Sequence, residues 1–127
     1  MLQRCRNARK VGRARLDDYR FMINSEGYAT VVPDEGHYVW GGLWWLTPED
    51  EVNLDYCEGV PADLYAKAMV VVDANGADEK VLVYLAANCQ PGPPRVGYLE
   101  RILVGARAFE LPENYIAELS THDRRNR

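Results

Sequence analysis

The run from Tyr38 to Leu46 constrains the fold more than any other stretch. Val39, Trp40, Leu43, Trp44, Trp45 and Leu46 place apolar side chains on both faces of an extended chain. A strand of that composition needs cover on both sides, which predicts a central position in a sheet rather than an edge. Gly41-Gly42 interrupts the run. Paired glycines in a strand mark a bulge, a bend, or a place where something approaches the backbone closely, and a barrel corner is the favoured reading. The three tryptophans suit core filling, with ring stacking on a ligand as the alternative.

Around this run the chain alternates between strand-like segments and turn clusters. Val11 to Leu16 alternates weakly. Tyr19 to Ile23 and Tyr28 to Val32 are better strands, ended by Asn24-Ser25-Glu26-Gly27 and Pro33-Asp34-Glu35-Gly36. Thr47-Pro48-Glu49-Asp50 is a helix start: a capping hydroxyl, a proline suited to the first turn, then acidic residues facing the positive dipole end. That helix runs to about Cys57 and stops at Gly59. Strands from Tyr65 to Val72 and from Lys80 to Ala86 flank Asn75-Gly76, a strong hairpin signal. The rigid loop Gln90-Pro91-Gly92-Pro93-Pro94 delivers a helix from Tyr98 to Ala108. Leu111-Pro112 opens a last helix with Tyr115, Ile116 and Leu119 on one face. A meander of strands with one helix in the middle and two at the end is an α+β plan. It predicts a single domain over residues 1–120 and a disordered tail over residues 121–127.

Composition narrows the function. At 127 residues and 47% hydrophobic, the chain sustains one packed core. A net charge of -4 argues against a general nucleic-acid role. The early cluster Arg4, Arg6, Arg9, Lys10, Arg13, Arg15 and Arg20 has no aromatic residue before Tyr19 to stack on bases, so it reads as a solvated face. Cys5, Cys57 and Cys89 are far apart and form no CxxC pair, which points away from a zinc site or disulfide framework and toward a reducing cytoplasm. Neither His37 nor His122 is placed beside Cys57, so a thiol nucleophile is not indicated. No apolar run approaches the ~20 residues of a membrane span, and no apolar segment follows the N-terminal arginines as in a signal peptide.

Glu58 breaks a local rule. It sits where the helix ends in carbonyls carrying partial negative charge, with Asp55 three residues back on the same face. Each effect disfavours a negative charge there by roughly a few tenths of a kcal/mol. Position alone leaves two readings open, a solvated glutamate at a helix end or a functional carboxylate.

Arg4-Cys5, Gly12-Arg13-Ala14, Tyr19-Arg20-Phe21, Ala29-Thr30-Val31, Val39-Trp40-Gly41, Leu43-Trp44, Leu54-Asp55, Glu58-Gly59-Val60, Tyr65, Val83-Tyr84, Tyr98-Leu99 and Gly105-Ala106 occur in that order. In this pattern the chain resembles the gamma-glutamylcyclotransferase-like family, from Cys5 to about Leu119. The most specific piece is Leu-Asp-x-x-Glu-Gly-Val with a tyrosine seven residues after the glutamate. The resemblance implies a small mixed β-barrel with flanking helices and a pocket inside. It implies cyclisation of a γ-glutamyl amine or amino acid to 5-oxoproline and a free amine, without metal or cofactor. The family glutamate falls on Glu58 as general base and acid, and family pocket tyrosines fall on Tyr65 and Tyr98 as substrate-binding residues. The implied partner is a small-molecule γ-glutamyl substrate; no nucleic acid or membrane is involved, and a homodimer is the candidate assembly. Two alternatives stand beside this reading: γ-glutamyl transfer or removal on a biosynthetic amine, and a pocket-containing binding module without turnover.

The pattern breaks at the start. The family opens with a strand and a Tyr-Gly-Ser-Asn loop whose amides serve as an oxyanion hole, and this chain has neither. The expectation is that Met1 is an internal methionine of a longer protein; if the chain is instead complete, weak or no turnover is expected.

Overall fold

The computed structural model describes residues 7–122. The expectations for the first six residues and for residues 123–127 therefore lie outside the described residues. Four strands form one antiparallel sheet: β1 (Arg9–Ile23), β2 (Ala29–Trp45), β3 (Tyr65–Ala74) and β4 (Ala77–Ala86), in the order β2-β1-β3-β4. Helix α1 (Pro48–Cys57) lies between the two hairpins in sequence, and α2 (Tyr98–Ala108) and α3 (Glu113–Ser120) follow the sheet. The α+β class is as the sequence predicts.

The first hairpin is longer than the turn clusters suggest. Val11 to Leu16 and Tyr19 to Ile23 are one strand, joined through Asp18 at a left-handed φ of 65°. Opposite it, pairing jumps from Tyr19–Pro33 to Asp17–Tyr38, so residues 34–37 arc out of the ladder. The Asp18 carboxylate accepts from the Gly36 amide at 3.1 Å, and Arg20 reaches Asp34 at 3.2 Å. A turn-rich cluster thus becomes a bulge inside β2 instead of its end. The second hairpin follows the sequence closely. Asn75 and Gly76 take φ of 56° and 87°, as a two-residue primed turn requires.

Two expectations are corrected. β2 is an edge strand, not a central one. Its apolar positions are covered on one face by α2 and α3. On the other they border a cleft of about 1170 Å³, where Trp45 remains 55% exposed. The sheet is also open, not a closed barrel. β1 meets β3 at the single pair Arg15–Asp73, from which the two hairpins splay, and the cleft lies between the outer strands β2 and β4.

The core is divided to match. Ala106, Leu111, Tyr115, Ile116 and Leu119 bury the α2–α3 pair against Phe21, Val39 and Trp40 of the first hairpin. Ala14, Leu16 and Val72 fill the junction of β1 and β3. Leu54 of α1 packs with Ala8, Trp44, Leu46 and Tyr84. Helix α1 has the reciprocal cap read from its sequence: the Asp50 amide donates to Thr47 Oγ1 at 3.1 Å, and the Thr47 amide donates to the Asp50 carboxylate at 3.2 Å.

Gly41 and Gly42 pair regularly with Ala14 and Arg13, so they make no bulge or corner. What approaches the backbone is the protein's own Phe109. A Cβ on Gly42 would lie 2.4 Å from that ring, whereas one on Gly41 would meet nothing within 4 Å. The ring is held edge-on by Trp44, with centroids 5.5 Å apart, and under the Lys10 ammonium at 4.8 Å. Gly42→Ala is therefore expected to cost about 1–3 kcal/mol in urea unfolding, in the range of an overpacked site. Gly41→Ala should change the midpoint little.

Candidate functional site around the end of helix α1

Glu58 is the C-cap of α1, half-buried, with its amide donating to the Leu54 carbonyl at 2.8 Å. Gly59 follows at φ 71° and ends the helix in the left-handed turn that a glycine permits. A side chain there would also strike Leu64, whose Cδ1 lies 2.8 Å from the position of a Cβ. The chain then passes through a short 3-10 turn at Val60–Ala62 into β3.

The side chains of Tyr65 and Lys67 share one face of β3, because strand side chains alternate. Lys67 is paired in register with Tyr84 on β4. Both reach back to α1. Lys67 Nζ donates to Glu51 and, at 3.0 Å, to Asp55, while the Tyr84 hydroxyl donates to the other Asp55 oxygen at 2.5 Å. Asp55, counted in the sequence as a like charge pressing on Glu58, is thus turned toward two donors on the sheet. The Tyr84 hydrogen bond, helped by Lys67 and opposed by partial burial, holds the Asp55 carboxyl below its ordinary range. Lys67 is raised in turn by its hydrogen bonds to Glu51 and Asp55. Burial, then the Asp55 carboxylate, drives the Tyr84 phenol well above its usual value.

One turn further along α1, Glu58 lies within electrostatic reach of Tyr65. Burial raises the Tyr65 phenol most, and the neighbouring Tyr98 and Glu58 add to it. The two tyrosines named from the sequence do come together, and their common partner is backbone. Tyr65 Oη donates to the Ala29 carbonyl at 2.8 Å, and the Ala29 amide donates to Tyr98 Oη at 3.1 Å. Tyr98 also stacks edge-on with Tyr28 at 5.6 Å, and the Arg95 guanidinium lies over Tyr28 at 4.5 Å. Because Tyr65 gives its proton to Ala29, what it presents to a ligand is an acceptor.

Two cavities are described, and Glu58, Tyr65 and Tyr98 line neither. The larger is the cleft between the hairpins, which ends at Glu51, Leu54 and Tyr84. Tyr84 therefore touches both that cleft and the residue one turn before Glu58. Among the described residues no three His, Cys, Asp or Glu side chains gather as a metal site, and no helix is long and apolar enough to cross a membrane.

Tyr84 belongs to the resemblance, but its pairing with Lys67 on Asp55 was missed in the sequence, although a signal existed. The two residues stand at equal distance from the Asn75-Gly76 turn, and a two-residue hairpin fixes such residues as partners on one face.

A family model described as AIG2-like matches residues 38–119. The gamma-glutamylcyclotransferase of Homo sapiens is 31% identical over 117 residues, covering 84% of this chain and 62% of that protein. The gamma-glutamylcyclotransferase of Mus musculus is 31% identical over 94 residues, covering 73% of this chain and 50% of that protein. The chain thus spans between half and 62% of the length of these curated relatives. Among solved structures, a gamma-glutamyl cyclotransferase superposes with a TM-score of 0.86 at 28% identity, covering 94% of this chain and 77% of that one. YkqA of Bacillus subtilis superposes with a TM-score of 0.77 at 28% identity, covering 89% of this chain and 44% of that one.

The clamp on Asp55 has a pH signature. A carboxylate whose pKa is lowered on folding stabilises the folded state fully above its unfolded value and loses that contribution as pH falls through the folded value. Asp55→Asn is expected to unfold more readily than the parent at neutral pH. The gap should close as acid takes the protein well below the ordinary aspartate value of 3.8. Chemical unfolding across an acid series measures it.

Proposed function

Because the chain belongs to the AIG2-like, gamma-glutamylcyclotransferase-like family, we propose that it is an enzyme that cyclises a γ-glutamyl amine or amino acid. The observation that carries this is the placement of Glu58: a half-buried carboxylate at the end of α1, within reach of Tyr65, in the Leu-Asp-x-x-Glu-Gly-Val context.

In this reading the substrate's α-amino nitrogen attacks its own γ-carbonyl carbon. A new C–N bond closes the five-membered lactam, and the old γ-amide C–N bond breaks. At neutral pH the α-amine is an ammonium and cannot attack. Glu58 takes its proton and then gives one to the departing nitrogen, so a single carboxylate serves both steps. The Tyr65 oxygen, its proton given to the Ala29 carbonyl, is left to accept from a ligand and so suits the α-ammonium better than the α-carboxylate. Tyr98 shapes the same corner from α2. Ring closure is intramolecular, so the protein's main task is to hold the substrate folded. The products are 5-oxoproline and a free amine, and the setting is cytoplasmic, with a homodimer as the candidate assembly.

A second reading is a binding module without turnover. It is favoured by one feature: both tyrosine hydroxyls are already engaged with the Ala29 backbone.

Incubation with γ-glutamyl-alanine, γ-glutamyl-lysine and glutathione, followed by assay for 5-oxoproline, separates the two. The cyclase reading expects product from at least one substrate, with Glu58→Gln lowering the rate by about 10²–10⁴, the worth of a general base. Turnover that survives Glu58→Gln would move the base elsewhere. Saturable binding with no product, both from this chain and from one extended by a relative's opening strand and Tyr-Gly-Ser-Asn loop, would select the module.

A further inference from the structure

The corner around Tyr65 has a charge problem. After burial, the groups that act most on the Tyr65 phenol are Tyr98, Glu58, Glu26 and Tyr28. Two are carboxylates, two are phenols, and none of the four is a cation. Such a corner suits an ammonium. A γ-glutamyl amino acid also carries two carboxylates, one on the glutamyl α-carbon and one on the residue that departs. Like charges set together are costly, so each needs a cation near it.

Arg95 stands at the edge of this corner, and its place is built. Its amide donates to the Gly27 carbonyl at 3.2 Å. Its Cγ lies 2.6 Å from where a Cβ on Gly27 would be, so the stem crosses backbone that a glycine leaves bare. Its Nε donates to the Glu26 carbonyl at 2.9 Å, and its guanidinium carbon lies 4.5 Å from the centre of the Tyr28 ring. These contacts fix the plane of the group and leave its two terminal nitrogens unused. Among the described residues no carboxylate pairs with it. A planar fork held this way is arranged to take a carboxylate through two parallel hydrogen bonds.

The chemistry says which carboxylate. The substrate's α-amine and γ-carbonyl have to meet Glu58, half-buried at the end of α1. The α-carboxylate shares a carbon with that amine and stays beside it. Arg95 is exposed, on the far side of the corner against Tyr28, where the departing residue reaches. Resting on the cyclase reading, we propose that Arg95 binds the carboxylate of the leaving amino acid, which makes the substrate a γ-glutamyl amino acid rather than a γ-glutamyl amine. Arg95 sets specificity and takes no part in the proton transfer.

Comparison of γ-glutamyl-alanine with γ-glutamyl-alaninamide, nearly the same shape without the terminal charge, tests this. The parent is expected to favour the acid by roughly ten- to a hundredfold in kcat/KM, the worth of a hydrogen bond to a charged group. The difference should lie in KM. Arg95→Gln should erase the preference, and Arg95→Lys, a point charge without the fork, should keep part of it. The ratio of two substrates on one preparation does not depend on how much of that preparation is folded. Equal use of both substrates by the parent, or a preference that survives Arg95→Gln, would overturn the assignment and leave the cyclase standing. Where neither substrate yields product, the same ratio is read from dissociation constants by calorimetry. Equal constants for acid and amide then overturn the Arg95 assignment, and a preference lost in Arg95→Gln upholds Arg95 as the carboxylate site even though the cyclase reading has failed.

Discussion

The contact between the end of α1 and the face of β3 and β4 decides where everything else in this molecule stands. Leu54 is buried there, and Asp55 beside it is held by Lys67 and Tyr84. The ion pair is partly covered and still open to solvent, so it contributes only modest energy. Its importance is directional. Apolar burial of one leucine lets a helix roll on a sheet, whereas two donors on one carboxylate fix the roll. With the roll fixed, the next turn of α1 brings Glu58 toward Tyr65, and Gly59 releases the chain into β3 before the helix can carry the glutamate away.

What the sequence disclosed depended on how far apart the cooperating residues lie. The Thr47–Asp50 cap, the Gly59 stop, the Asn75-Gly76 turn and the helices after the proline-rich loop are local, and each has the form its residues dictate. Strand order is not local. Nothing within Tyr38 to Leu46 says whether its second face meets another strand or a cleft, so an apolar run read as central proved to be an edge. The Pro33 to Gly36 cluster failed for a related reason. Turn chemistry ends a strand only if the partner also ends, and β1 continues past it by bulging at Asp18.

The candidate site shows the same division. Glu58 was conspicuous because it defies its helix dipole, a property of neighbours in sequence. Asp55 was assigned to repulsion by the same local logic, and the structure gives it to the sheet instead. Helical spacing says which side chains share a face, but a longer reach to a cation on another element overrides it. Tyr65 and Tyr98 could be named from the resemblance alone. That their hydroxyls meet on one residue required the coordinates.

That residue is Ala29, and its methyl group has no part in the matter. Both phenols grip its main chain, one through the carbonyl and one through the amide. The address they read is therefore a count along the chain and not an identity. Exchanging the amino acid at this point would pass almost unnoticed by either ring, whereas inserting or deleting one unit between Gly27 and Thr30 would unseat the pair together. Evolution can repaint this corner freely, so long as it never changes the spacing.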